Sequence, residues 1–211
     1  MNKNNFSYVT SVFPEILDIS DKNLQEKVVE VWMRCLDQSE FSKIEDVPNF
    51  PSKDYPAPGL SHPEMTKFTL VDHVRCVVHL VKDIANCIKK FYDVKINLDY
   101  LLAGAIIHDT DKVLFFSGTK ETCRISDLGK LLPHGFMVGS IAWQLGLDEE
   151  IINMALCHTG KSAIFPRTME GLILIYADCM AADTLRKISG AKGILESYKN
   201  FGPLFTTHMS P

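Results

Sequence analysis

Apolar residues recur every three or four positions along most of the chain from residue 21 onward, whereas strict apolar and polar alternation over the length of a strand is hard to find. A period of 3.6 residues is typical of amphipathic helices. The pattern therefore predicts an all-α fold, a compact bundle of helices. Helices are predicted at about residues 21–38, 68–93, 97–108, 133–146, 148–159 and 168–188, with a weaker one near 191–200.

Residues with known capping preferences stand near the start of several of these helices. Ser20 or Asp21 precedes the first helix, and Asn97 precedes the stretch LDYLLAGAIIH. Short polar side chains at such positions accept hydrogen bonds from the free N–H groups of the first turn. Pro133 suits the first turn of its helix because it lacks an N–H group.

Residues 44–65 interrupt the helical pattern, because they hold five of the ten prolines and proline breaks a helix. We expect an ordered loop inside the domain. Residues 1–67 are predicted to form an N-terminal helix plus this proline-rich loop packed on the core, residues 68–200 the main helical domain, and residues 201–211 a tail. The five prolines are Pro48, Pro51, Pro56, Pro58 and Pro63.

The composition argues against a large charged partner. The formal net charge is -4 and no block of lysine and arginine occurs, so neither nucleic acid nor a membrane surface is expected as a partner. The chain has no secretory signal pattern and no long apolar run, which favours a cytoplasmic location. The six cysteines show no CxxC spacing and are predicted to be reduced packing residues. The sequence is silent on oligomeric state.

Ionisable side chains fall on the apolar faces of the predicted helices, where core packing does not require them. His108 shares a face with Leu101 and Gly104, and Asp178 shares one with Leu174 and Ala182. Burying such groups is costly unless a positive charge compensates them. A metal centre supplies that charge most simply. The inward-facing residues are His73, His108, Asp109, His134, His158 and Asp178.

Histidine and aspartate ligands without sulfur suit iron, manganese, zinc, nickel or cobalt. Four histidines and two aspartates exceed what one small cation needs beside a substrate. Two metal ions about 3.5 to 4 Å apart that share one carboxylate would use all six. Asp109, which is adjacent to His108, is placed to be the shared ligand. The predicted cofactor is therefore a pair of divalent metal ions, with iron as the first expectation.

The order of these residues resembles the metal-binding signature of the HD-domain superfamily over about residues 68–190. HDTDK, which begins at His108, is similar to the HDxGK run of its cyclic-dinucleotide phosphodiesterase branch. The stretch LLPHGFMVGSIAWQLGLDEEIINMALCHTG resembles the family's paired helices with two histidines, and IYADCMAAD resembles its closing helix. The resemblance implies a helical bundle of the HD-domain type.

The resemblance also implies how the ligands divide between the two metal ions. The dinucleotide branch has a second histidine and a GYP run after the position of His158, where this chain has Thr159 and GKSAIFPRT. This departure disfavours cyclic-dinucleotide hydrolysis. One ion is expected to bind His73, His108, Asp109 and Asp178, and the other is expected to bind Asp109, His134 and His158.

The favoured function is a metal-dependent phosphohydrolase that acts on a small phosphorylated metabolite or nucleotide. The two ions would lower the pKa of a bridging water, so that hydroxide attacks phosphorus in line. Asp109 and Lys112 are the predicted catalytic residues, with Lys112 neutralising charge on the phosphoryl oxygens. A surface salt bridge between Lys112 and Asp111 is the alternative reading of this lysine. Asp111 is expected to orient Lys112 or to protonate the leaving group.

Local cations are needed to bind a small anionic substrate on a chain with a negative net charge. Lys161 and Arg167 follow His158 in a segment with Gly160 and Pro166 that reads as a loop. Together with Lys112 they are the predicted substrate-binding residues.

Two other functions remain open. An iron oxygenase that cleaves carbon–phosphorus or carbon–carbon bonds would use the same six ligands, because oxygenases of the superfamily have the same order of histidines and aspartates. A non-catalytic sensor that binds metal or nucleotide is the third possibility. Ligand spacing does not separate the three.

Overall fold

Capping side chains and buried apolar faces define the helices in the computed structural model, which describes residues 3–51, 68–159, 162, 164–190 and 193. The all-α prediction is confirmed, and the one pair of strands within this part of the chain is two residues long on each side. The elements in order are α1 (Lys3–Val12), a 3-10 helix (Pro14–Asp18), α2 (Lys22–Leu36), a 3-10 helix (Ile44–Asp46), α3 (Leu70–Tyr92), α4 (Leu98–Ile107), α5 (Lys112–Phe115), β1 (Phe116–Ser117), β2 (Arg124–Ile125), α6 (Asp127–Leu131), α7 (Phe136–Gln144), α8 (Glu149–Cys157) and α9 (Met169–Ile188).

Helix α4 lies at the centre of the bundle because it is apolar on all sides. Every residue from Leu101 to Ile107 is buried, and the helix packs against α2, α3, α8 and α9. Trp32 of α2 is fully buried, and its indole Nε1 donates a hydrogen bond to the carbonyl oxygen of Ile106 at 3.2 Å. The C-terminal end of α4 is thereby held in the core, directly before His108.

Helices α3 and α9 pack against each other and against α4. A capping box begins α3, in which Thr69 Oγ1 accepts from the N–H of Asp72 and the Asp72 carboxylate accepts from the N–H of Thr69. The Thr168 hydroxyl caps α9 by accepting from the N–H of Gly171. These caps fix the first turn of α3, which carries His73, and the register of α9, which carries Asp178.

The N-terminal segment belongs to the same hydrophobic core as the later helices. Phe13 and Ile16 are fully buried, and the Phe13 ring lies 4.7 Å from the Trp32 ring. The first helix of the chain is α1, which the sequence analysis did not predict. The division at residues 67 and 200 stays a prediction.

Five predicted helices are confirmed to within two residues at each end: α2, α3, α4, α8 and α9. Asp21 rather than Ser20 caps α2, since its carboxylate accepts from two backbone N–H groups of the first turn. The prediction of a helix from residue 133 is wrong at its start, because α7 begins at Phe136. The predicted tail and nearly all of residues 191–200 lie outside the described residues, as do residues 52–65 of the proline-rich segment.

The cysteines only partly behave as packing residues. All six are free thiols, of which Cys35, Cys123 and Cys157 are buried. Cys76 and Cys87 lie exposed on α3, so a packing role is wrong for these two. None of the helices in the described part of the chain is long and apolar enough to cross a membrane.

Candidate metal centre

The turn that follows α4 places two polar side chains at the centre of the bundle. His108 is fully buried at the C-terminal end of α4, and its Nδ1 donates to the carbonyl oxygen of Ala105 at 2.7 Å. This hydrogen bond leaves Nε2 directed at the neighbouring polar groups. Asp109 follows in the turn and is 2% exposed. The end of α4 therefore supplies an imidazole nitrogen and a carboxylate at one place.

Helices α3 and α9 add two further groups to this pair. His73 Nε2 lies 3.0 Å from Asp109 Oδ2 and 3.0 Å from Asp178 Oδ1. It also lies 3.4 Å from His108 Nε2. One ligand atom from each of these four residues falls within 4.8 Å of every other, as a site for one metal ion requires. The first predicted ligand group is thus brought together from three helices.

A second group forms on the opposite side of Asp109. His158 ends α8, and its Nδ1 donates to the carbonyl oxygen of Ala155 at 2.8 Å. Its Nε2 lies 3.1 Å from His134 Nε2, which in turn lies 2.7 Å from Asp109 Oδ1. These three side chains also satisfy the spacing of a metal site.

Asp109 belongs to both groups through different oxygen atoms. Oδ2 faces His73, whereas Oδ1 faces His134 and lies 3.5 Å from His158 Nε2. A carboxylate that directs one oxygen to each of two sites is the arrangement expected of a ligand shared by two metal ions. The structure therefore brings all six predicted ligands into one cluster around Asp109.

The distances between the imidazole nitrogens of the cluster are those expected around a bound cation. His108 and His158 each use Nδ1 to donate to a backbone carbonyl, so in the neutral ring Nε2 carries a lone pair. The lone pairs of His108 and His158 face the Nε2 atoms of His73 and His134 at 3.4 and 3.1 Å. Nitrogen lone pairs repel one another at such distances unless a proton or a metal ion lies between them. The nitrogen and oxygen donors, without sulfur, suit a divalent transition metal.

Electrostatics keep the carboxylates of the cluster ionised. Burial opposes the ionisation of Asp109, but Lys112 and His108 outweigh it and hold the pKa of this carboxyl well below its usual range. Burial likewise opposes the ionisation of Asp178, yet His73 and His108 lower its pKa to about 2. Both groups therefore carry negative charge at neutral pH, which is the form that binds cations.

The two histidines of the second group differ in their pKa. Burial lowers the pKa of His134, but Asp111 and Asp109 outweigh burial and raise it to about 10. Burial lowers the pKa of His158, and the neighbouring His134 adds to that effect. His158 is therefore the more readily available ligand. A cation must displace a proton from His134, which makes binding at this group dependent on pH.

Lys112 lies at the edge of the cluster, 13% exposed at its side chain, rather than in a surface pair with Asp111. Its Nζ donates to Asp109 Oδ2 at 2.7 Å and to Asn49 Oδ1 at 2.9 Å, and it lies 5.3 Å from the centre of the Phe50 ring. Asn49 is fully buried, and its Nδ2 has no hydrogen-bond partner among the described residues. Asn49 was missed by the sequence analysis, since nothing in the proline-rich segment distinguishes it.

The expectation that Asp111 orients Lys112 is wrong, and its role toward a leaving group stays a prediction. The Asp111 side chain is fully buried and faces away from Lys112. Its Oδ1 lies 2.8 Å from His134 Nδ1, and its Oδ2 accepts from the N–H of Gly135 at 2.7 Å. The sequence analysis placed His134 on the apolar face of a helix. The structure places it in the turn before α7 instead.

The predicted anion-binding loop contributes no described contact to the cluster. Lys161 lies outside the described residues. Arg167 is exposed, and its backbone N–H donates to Asn153 Oδ1 at 3.1 Å. Within the described part of the chain no contact joins its guanidinium to the metal ligands. The role of both residues stays a prediction.

The chain is similar to a known family and to several characterised proteins. The family model described as HD domain matches residues 70–183. The 3'-5' exoribonuclease YhaM of Geobacillus sp. (strain WCH70) is 37% identical over 141 residues, which are 61% of this chain and 41% of that protein. The 3'-5' exoribonuclease YhaM of Bacillus pumilus (strain SAFR-032) is 34% identical over 141 residues, 61% of this chain and 43% of that protein.

A third relative is the dihydroneopterin 2',3'-cyclic phosphate phosphodiesterase of Methanocaldococcus jannaschii, which is 27% identical over 111 residues. The match covers 52% of this chain and 44% of that protein. The matched part is thus less than half the length of each of these relatives. No solved structure matches the chain at a significant level.

Proposed function

The chain belongs to the HD-domain family, and from that premise we propose that it is a metal-dependent phosphohydrolase whose substrate is a small phosphorylated metabolite or nucleotide. The observation that carries the proposal is the position of Asp109, which directs one oxygen to each of two ligand groups. The relatives support the reaction class, because their names describe the cleavage of phosphate ester bonds.

The proposed ligands divide as the two groups do in the cluster. His73, His108 and Asp178 would hold one ion, His134 and His158 the other, and Asp109 would be shared. Two such cations, once bound, would polarise phosphoryl oxygens and lower the pKa of a water molecule between them. Iron is the favoured metal, with manganese, zinc, nickel and cobalt as alternatives that the same donors suit.

Lys112 is proposed to act on the substrate from the edge of the cluster. An ammonium group has three N–H donors, and the contacts with Asp109 and Asn49 use two of them. The third is available to a phosphoryl oxygen, where a fixed positive charge stabilises the charge that develops as the bond to the leaving group breaks. Nδ2 of buried Asn49 has no partner among the described residues and is a second donor next to this lysine.

The substrate is proposed to approach from the side of His134 and Lys112. The side chains of His134, Asp178 and Lys112 are 28%, 14% and 13% exposed, whereas those of His73, His108, Asp109 and His158 are at most 3% exposed. A narrow approach of this kind suits a single phosphate group at the end of a small molecule. Arg167 and Lys161 remain candidates for binding the rest of an anionic substrate.

RNA is a second candidate substrate, because two of the relatives are named exoribonucleases. The earlier expectation that nucleic acid is excluded rests on the net charge and the lack of a basic stretch, and these relatives do not support it. The 3' end of an RNA strand presents one phosphodiester to an active site, as a small phosphodiester does. Activity on short oligoribonucleotides therefore has to be measured beside activity on mononucleotides.

The proposal is tested by comparing wild-type protein with Asp109→Ala after loading each with Mn²⁺, Co²⁺, Ni²⁺, Zn²⁺ or anaerobic Fe²⁺. The substrates are a nitrophenyl phosphodiester, a nitrophenyl phosphomonoester, 2',3'-cyclic nucleotides and a short oligoribonucleotide. We expect phosphate ester cleavage by the wild type and the joint loss of bound metal and activity in Asp109→Ala. Asp127→Ala is the matched control, because the Asp127 side chain is exposed and pairs only with Lys130 in the described contacts.

Two outcomes would contradict the proposal. Turnover retained by Asp109→Ala would show that the shared carboxylate is not needed. No hydrolysis of any of these esters, together with oxygen consumption by the iron-loaded protein, would support the oxygenase alternative instead.

A further inference from the structure

The Nδ1 atom of His134 meets a different kind of group from the Nδ1 atoms of His108 and His158. His108 and His158 end helices, so the carbonyl oxygen three residues earlier in the helix accepts from Nδ1. His134 lies in the turn before α7, and no hydrogen bond joins its Nδ1 to a carbonyl oxygen among the described residues. The atom that meets its Nδ1 is Oδ1 of Asp111, at 2.8 Å.

We propose that Asp111 is the positioning residue of the second metal group, which fixes His134 in the form that has a proton on Nδ1 and Nε2 free to bind a cation. The inference deepens the proposed function and rests on its two-metal site. A histidine ligand is commonly oriented by a hydrogen-bond acceptor at the ring nitrogen that does not bind the metal. A carboxylate acceptor makes the metal-binding nitrogen more basic than a backbone carbonyl does. At His134, the Asp111 carboxylate takes the place that a helix carbonyl oxygen has at His108 and His158.

The carboxylate of Asp111 also fixes the backbone beside His134. Its Oδ2 accepts from the N–H of Gly135 at 2.7 Å, so one side chain holds two consecutive residues of the turn. Gly135 has a φ of +92°, and a Cβ atom there would lie 2.6 Å from the carbonyl oxygen of Ala155. The turn is thus packed directly against the end of α8, which carries His158. This packing sets the 3.1 Å separation between the Nε2 atoms of His134 and His158.

A buried carboxylate at this place needs a reason, because burying charge is costly. The HDxGK run that HDTDK resembles has glycine at the corresponding position, which offers no acceptor. Oδ2 of Asp111 accepts from the N–H of Gly135, and Oδ1 forms an ion-pair contact with His134 Nδ1 at 2.8 Å that lacks in-line hydrogen-bond geometry. These two contacts with consecutive residues of one turn offset part of the cost of burying this acid.

Replacement of Asp111 by asparagine separates this role from simple packing. Asparagine has nearly the same shape but only one acceptor, because the second oxygen becomes an NH₂ donor. If the NH₂ group faces Gly135, two donors oppose each other. If it faces His134, it donates to Nδ1 and selects the ring form with the proton on Nε2, which cannot bind a metal ion. Either arrangement weakens the second metal group while leaving the first in place.

The test measures metal binding and the protonation of the His134 ring in wild type, Asp111→Asn and the matched control Asp127→Asn. We expect two zinc ions per chain in wild type and control. In Asp111→Asn we expect one, or a second affinity about 10- to 100-fold weaker. In ¹⁵N-histidine NMR of the zinc-loaded wild type, His134, assigned by its absence in His134→Gln, should show a proton on Nδ1. In Asp111→Asn that signal should be lost if the NH₂ group faces His134, and retained together with the weaker second affinity if the NH₂ group faces Gly135.

The first zinc ion is an internal control for folding, since the described side-chain contacts of Asp111 are with His134 and Gly135 and not with the ligands of that ion. Two zinc ions of unchanged affinity in Asp111→Asn, with the Nδ1 proton retained, would overturn the role of Asp111 and leave the proposed function intact. A wild-type protein that binds at most one ion would contradict the two-metal site itself, and the inference would fall with it.

Discussion

Replacing Lys112 by methionine removes the ammonium charge but keeps a side chain of similar length at the edge of the metal centre. Nζ donates to Asp109 and Asn49 and has one N–H left for the substrate. A hydrogen bond to a charged group is worth about 1.5 to 3 kcal/mol. Since about 1.4 kcal/mol corresponds to a tenfold change in rate, losing one such contact in the transition state should lower kcat by about 10- to 150-fold.

The assay compares kcat, KM and metal content of Lys112→Met with those of Lys130→Met. Lys130 is a suitable control because its ion pair with Asp127 is 62% and 95% exposed, and exposed pairs contribute little. Both variants should keep two metal ions per chain, because neither lysine supplies a ligand. A Lys112→Met enzyme with full metal content and a kcat within about threefold of wild type would refute the role assigned to this lysine.

Two further predictions concern stability. Tyr8→Phe should lower the free energy of unfolding by about 2 kcal/mol, because the Tyr8 hydroxyl donates to Glu45 Oε2 at 2.7 Å and accepts from the N–H of Ile44 at 2.8 Å. Burial and Glu45 raise the pKa of Tyr8 to about 12, so this difference, measured by urea unfolding, should be constant below pH ~10 and shrink as the pH rises further. An equal difference at high pH would contradict this reading. Gly135→Ala should lower stability by more than about 1 kcal/mol and weaken the second metal ion, because of its positive φ and its approach to Ala155. An unchanged melting temperature together with full metal content would contradict the close packing of this turn.

The helices were predictable because they depend on local periodicity, and the clustering of the six candidate ligands was predictable from their order along the chain. Inward-facing histidines and aspartates stand out against apolar neighbours, and their order along the chain matches that of a known family. Helix α4 could be placed to within one residue, since Asn97 caps it and its side chains are apolar on all sides.

The parts that were missed depend on the path of the chain between helices. The helical pattern was extended back to Pro133, but the positive φ of Gly135 ends any helix there, and His134 lies in a turn. Lys112 was expected beside Asp111, yet the turn at residues 108–111 directs it to Asp109. A carboxylate in place of the glycine in the HDxGK run was the available signal for Asp111. Its partner could not be identified without the position of the later turn.

The position of Asn49 could not be predicted from the sequence for a different reason. It lies outside the residues that match the family model, in a segment whose prolines remove helical periodicity. Its contact with Lys112 spans 63 positions of the sequence. No local pattern indicates a contact over that distance.

The content of divalent metal per chain tests the central claim most directly. Wild-type protein and Asp109→Ala would be purified without oxygen or added metal, analysed for metal, and analysed again after reconstitution. We expect two ions per wild-type chain and the loss of both in Asp109→Ala, because one carboxylate serves both ligand groups. Iron that responds to air would favour the oxygenase, whereas other metals would favour hydrolysis. A wild-type protein that binds no metal even after reconstitution would show that the histidines are packing residues, which contradicts the account.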